Sequence, residues 1–98
     1  MKLHVLITQR TKISFDRLSR KEQMKARQAI EYMEMGNAGA LHGQRLAVNH
    51  QLYEGKVSNR VRVIYKRNGD DYEIVDFINP QETQKLAQYF IWPSNKLT

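Results

Sequence analysis

The 98-residue chain has no cysteine, which excludes disulfide scaffolds, thiolate metal sites and cysteine nucleophiles together. It has no apolar run near the ~20 residues that span a bilayer. Met1-Lys2-Leu3-His4-Val5-Leu6-Ile7 leads into charge rather than a small-residue cleavage site, so no membrane span or export signal is expected and the cytoplasm is the expected compartment. Acidic residues are few: ten Asp and Glu stand against sixteen Lys and Arg, for a net charge of +6. A field of that sign attracts polyanions over about a Debye length. Nucleic acid is therefore the leading partner class, with an acidic protein surface as the alternative. His4, His42 and His50 have neither metal-ligand spacing nor a paired acid, and Asp70-Asp71 adjoins a turn, so no metal or cofactor is expected.

What is present suits one folded domain over residues 1–98. Apolar residues make up 41% and charged residues 27%, outside the regime of disorder. Residues 2–7 have strand composition, and a short helix is expected around Ile13, Phe15 and Leu18. Ser19 and Glu22 form a capping box. After it Ala26, Ala29, Ile30 and Met33 fall at i, i+3, i+4 and i+7, with Arg20, Lys21, Lys25 and Arg27 mostly on the solvent side. This second helix should end at Gly36. Residues 36–50, interrupted by three glycines and carrying Arg45, read as a connecting loop.

Three strand-like runs follow at 51–57, 60–66 and 71–78, the last two separated by Asn68-Gly69, a pair suited to a type I′ hairpin turn. Asn79-Pro80-Gln81-Glu82 supplies a cap, a proline at the first helical position and a glutamate three residues past the cap, opening a helix over 80–90. Trp92 and Pro93 end the ordered part, and 93–98 is expected to be a frayed tail. The order β-α-α-β-β-β-α predicts an α+β fold. An antiparallel sheet of about four strands would have two helices on one face and the other face open.

The hairpin over 53–66 carries the chemistry. A two-residue loop at Ser58-Asn59 would scatter charge over both sheet faces. Leaving Ser58 to Arg60 unpaired instead matches Val57 with Val61, Lys56 with Arg62 and Tyr53 with Tyr65. That register is hydrophobically consistent and gathers Glu54, Lys56, Arg62 and Lys66 on one open face, with Arg60 at the turn. Fixed cations can hold a phosphodiester, and a neighbouring carboxylate can take the proton of a ribose 2′-hydroxyl so that the oxygen attacks phosphorus without a metal. The bland alternative is a Glu54–Lys56 surface ion pair worth roughly 0 to 1 kcal/mol.

The runs Leu52-Tyr53-Glu54-Gly55-Lys56-Val57, Arg60-Val61-Arg62-Val63-Ile64-Tyr65 and Tyr72-Glu73-Ile74-Val75 resemble the RelE/ParE superfamily of bacterial toxins, and Leu41-His42-Gly43 with the two preceding helices suits the same layout. The resemblance covers about residues 3 to 90. It implies the RelE-like fold and, for the messenger-RNA interferase branch, a type II toxin that cuts messenger RNA on the ribosome by 2′-hydroxyl attack and is neutralised by a cognate antitoxin. In that scheme Arg62 holds the scissile phosphate, Lys56 neutralises charge and Glu54 is the base. Arg45, Arg60, Lys66, Arg20, Lys21 and Lys25 would contact RNA. The residues 79–84 depart from the family, which commonly has a His, Arg or Tyr there. Either Gln81 assists by hydrogen bonding, Tyr89 reaches back, or catalysis is weak or absent, as in a catalytically weak RNA-binding member or in the ParE branch, which acts on DNA gyrase without cutting RNA.

Overall fold

The computed structural model describes residues 3–47 and 49–85. The chain runs through β1 (Val5–Ile7), α1 (Gln9–Asp16), α2 (Arg20–Glu34), a 3-10 helix at Ala38–Leu41, β2 (Gln44–Arg45), β3 (Tyr53–Lys56), β4 (Arg62–Asn68), β5 (Asp71–Ile78) and a second 3-10 helix at Pro80–Lys85. Local chemistry sets the boundaries. Thr8 Oγ1 accepts from the Thr11 amide to start α1. The Ser19–Glu22 box is complete, with Ser19 Oγ accepting from the Glu22 amide at 3.1 Å and Glu22 Oε1 from the Ser19 amide at 3.0 Å. At the far end of α2, Gly36 takes a positive φ of 74°, and the Asn37 amide returns to the Tyr32 carbonyl at 2.8 Å, closing the last turn.

The sheet order is β1-β5-β4-β3-β2, with β1 parallel to β5 and the other pairings antiparallel. The sheet therefore has five strands rather than about four, and it is mixed. The extra strand is Gln44–Arg45, inside the stretch expected to be a loop. Two residues are too few to show an alternating pattern, and they pair only because Glu54 and Tyr53 lie alongside. The turn before β5 is also displaced by one residue. Asn68 pairs with Asp71, leaving Gly69-Asp70 as the loop, and only Gly69 has positive φ, which is the type II′ pattern rather than I′. After Ile78 the described residues form a 3-10 helix opened by Asn79, whose Oδ1 accepts from the Gln81 amide. The helix expected beyond Lys85, Tyr89, Trp92 and the tail at 93–98 lie outside the described residues.

Both helices pack on one sheet face. Ala26, Ala29 and Met33 of α2 are buried against Val63, Tyr65, Ile74 and Phe77, with Phe15 and Leu18 at the margin. The 0% exposed Thr11 fastens α1 to the sheet by donating its hydroxyl to the Ile74 carbonyl at 2.7 Å and lying 3.2 Å from that of Val75. The opposite face is not open. Leu46, Leu52, Ile64, Val75 and Ile78 form a second buried cluster there, with Leu52 and Ile64 at 0% exposure. Large aliphatic side chains are thus buried on both faces of the sheet.

Candidate nucleic-acid interface

The β3–β4 register is the one that hydrophobic consistency predicts. Tyr53 pairs with Tyr65, Gly55 with Val63 and Lys56 with Arg62, and the Val57 amide reaches the Val61 carbonyl at 3.0 Å. The connecting turn is wound on Ser58, whose Oγ accepts from the amides of Arg60 and Val61. Arg62 Nη1 donates to the carbonyls of Ser58 and Val61, so the turn orients the guanidinium. Lys56 and Arg60 are exposed. This end of the sheet therefore holds Lys56, Arg60 and Arg62 together.

The remaining predicted residues are not all brought to that place. Lys66 lies four residues along β4 from Arg62, roughly 13 Å in an extended strand, and pairs at 3.8 Å with Glu73. Buried Ile64 stands between them and pairs with Glu54, so the expected continuous strip of charge is split by the second core cluster. Arg45 sits on β2 at the edge of the sheet, where it donates to the Tyr53 hydroxyl at 2.9 Å and lies over its ring. Arg20, Lys21 and Lys25 are exposed on α2, on the helical side of the molecule rather than beside Lys56.

Arg60 and Gln81 share a groove of about 970 Å³ between α1 and the sheet end, which also presents Arg10, Ser14, Arg17 and Asp76. Asp76 on its wall adjoins a β-bulge. Ile64 pairs with Asp76 and Tyr65 with Ile74, which leaves Val75 as the extra residue. Asp76 then accepts from the Ser14 hydroxyl and the Phe77 amide and lies 3.8 Å from Arg10. Sequence reasoning passed over Arg10 and Arg17, because their meeting with Arg60 depends on how α1 docks across β5.

Beside Arg45 an aromatic row crosses the sheet. Tyr53 and Tyr65 stack with centroids 5.5 Å apart, Tyr65 meets Tyr72 edge-on at 5.7 Å, and Arg67 lies over Tyr72. Burial, reinforced by Tyr72 and Tyr53, pushes the Tyr65 hydroxyl above its usual value of 10.0. This row is part of the core rather than a free stacking platform, since Tyr65 and Tyr72 are buried. Among the described residues no group of three or more His, Asp or Glu could hold a metal, and no helix is long and apolar enough to cross a membrane.

No protein-family model matches the sequence, and no curated protein matches it either. Solved structures do share its fold. The archaeal RelE-RelB complex from Pyrococcus horikoshii matches with a TM-score of 0.65 and 16% identity over 81% of this chain and 96% of that one. The RelB-RelE antitoxin-toxin complex from Methanococcus jannaschii also gives 0.65 and 16%, over 87% and 98%. The YoeB-YefM complex from Staphylococcus aureus gives 0.62 and 12%, over 80% and 97%. The chain has the RelE-like fold.

Proposed function

We propose that this chain is the toxin of a type II toxin-antitoxin pair and acts in the cytoplasm as a ribosome-dependent endoribonuclease on messenger RNA. The observation that carries this reading is the cross-strand pair Lys56–Arg62 beside exposed Arg60, at one end of a sheet with the RelE-like fold. Nη1 of Arg62 is committed to the turn, while Nε and Nη2, which no hydrogen bond among the described residues engages, are donors for a phosphate. The surrounding turn holds them in a fixed direction, which favours stabilisation of charge developing on the phosphate. Lys56 adds a second cation across the strand. Glu54, two residues from Lys56 on the same sheet face, serves as the base. It takes the 2′-hydroxyl proton, the 2′-oxygen bonds to phosphorus, and the 5′-oxygen departs and takes a proton from water, leaving a 2′,3′-cyclic phosphate.

The partner in this reading is a cognate antitoxin whose acidic and apolar residues fold over the basic end. A second reading, a toxin that inhibits DNA gyrase without cutting RNA, is favoured by the engagement of Arg62 with turn carbonyls, a structural rather than a catalytic duty. Controlled expression in a bacterium separates the two. The nuclease reading expects growth arrest with cut transcripts, relieved by Lys56→Ala. Growth arrest with intact transcripts and loss of supercoiling activity would favour the gyrase reading.

A further inference from the structure

The groove between α1 and the sheet end carries formal charges of both signs in equal number, but its acids and its arginines differ in how far the fold engages them. Three arginines, Arg10, Arg17 and Arg60, and three acids, Glu22, Asp76 and Glu82, line it. Each acid already has internal partners. Glu22 accepts from the Ser19 amide, Glu82 from the Asn79 amide, and Asp76 from the Ser14 hydroxyl and the Phe77 amide while facing Arg10. Arg17 and Arg60 are exposed, and neither side chain has a hydrogen bond or ion pair among the described residues. The acids serve the fold, and two guanidinium groups are left facing the groove.

We propose that this groove binds the sugar–phosphate backbone of a single RNA strand, with Arg17 and Arg60 on phosphates and Arg10 held as a third cation by Asp76. The proposal rests on the RNA-directed reading above and adds a subsite on the helical side of the sheet end, apart from Lys56 and Arg62. Guanidinium groups suit phosphate because their planar fork donates two parallel hydrogen bonds. Asn59, Asn79 and Gln81 on the groove wall supply amides for 2′-hydroxyls or base edges. The cleft on the other side of α1 is lined by Phe15, Ile30 and Phe77 beside a few polar groups, and its one arginine among the described residues, Arg27, lies over the Phe15 ring. A strand passing the turn at Ser58–Arg60 would then touch Arg60 from one side and Lys56 from the other.

The test is fluorescence anisotropy of the purified full chain with a short 2′-O-methylated single-stranded oligoribonucleotide, which 2′-hydroxyl attack cannot cut, across a salt series. Arg17→Gln/Arg60→Gln, both exposed substitutions, should weaken binding several-fold at low salt. They should also lower the slope of log affinity against log salt by about 1.4, the value for two lost phosphate contacts on a single strand. Unchanged affinity and slope in this variant, with binding still reduced by Lys56→Gln, would overturn the groove while leaving the RNA reading standing. No binding of the oligoribonucleotide by the unmodified protein would overturn the groove, while the nuclease reading is decided separately by cutting of messenger RNA in the presence of ribosomes. If the double variant lost affinity for polyglutamate but not for the oligonucleotide, the groove would be a site for an acidic protein, and the proposal would fail.

Discussion

The guanidinium of Arg62 donates to the main-chain carbonyl of Ser58, so the side chain proposed to meet a phosphate also holds the turn that precedes its strand. Arg62→Ala should therefore remove toxicity and also cost stability, about 1 kcal/mol after allowing for partial exposure. Lys56→Ala, at an exposed position with no such bond among the described residues, should remove toxicity with a stability change within about 0.5 kcal/mol. Urea denaturation of the two variants beside a growth assay separates these effects. Equal stability loss in both would show that the turn does not depend on Arg62.

The second buried cluster makes a demand on the face expected to be open. Ile64→Ala should destabilise the protein by about 2–5 kcal/mol, as for a core residue, although its strand neighbours are Arg62 and Lys66 on the same face. A midpoint shift worth less than about 1 kcal/mol would mean that Leu52, Val75 and Ile78 do not pack on it as described.

Thr11 joins helix to sheet through its hydroxyl. Thr11→Val keeps the shape and leaves the Ile74 and Val75 carbonyls without that donor, so a loss of about 1–3 kcal/mol is expected. The groove should loosen with it, because Arg10, Ser14 and Arg17 all ride on or just after α1. Hydrogen exchange at α1 amides, faster in the variant, would show the coupling.

Tyr65 gives a pH dependence of fixed sign. Its hydroxyl titrates higher in the folded protein than the usual 10.0, so above that pH the unfolded chain releases the proton first and unfolding is favoured. The Tyr65 contribution is fully present below pH 10.0 and falls as pH rises through the folded value. Tyr65→Phe should remove this component, measured as a flatter stability profile between neutral and alkaline pH.

The parts of this molecule legible in its sequence are those written in short-range patterns. The Ser19–Glu22 box, the α2 stripe and the Lys56–Arg62 register each follow from neighbouring residues and the side-chain period of the element. Ile64 was the available sign that the basic face is also a core face, since a β-branched aliphatic among Arg62 and Lys66 has little reason to face water. What the sequence could not show arises from elements meeting. The strand Gln44–Arg45 exists only as a partner of β3, and the groove exists only because α1 crosses the bulged end of β5 and brings Arg10 and Arg17 to Arg60.

In the proposed reading, the basic end of the hairpin directs cutting of messenger RNA on ribosomes. Mapping the ends of a defined message after incubation with the purified protein, with and without translating ribosomes, tests it most directly. New 5′ ends and matching 2′,3′-cyclic phosphate termini should appear only with ribosomes, and should vanish with Lys56→Ala. An intact message in the presence of translating ribosomes and the unmodified protein would contradict the account.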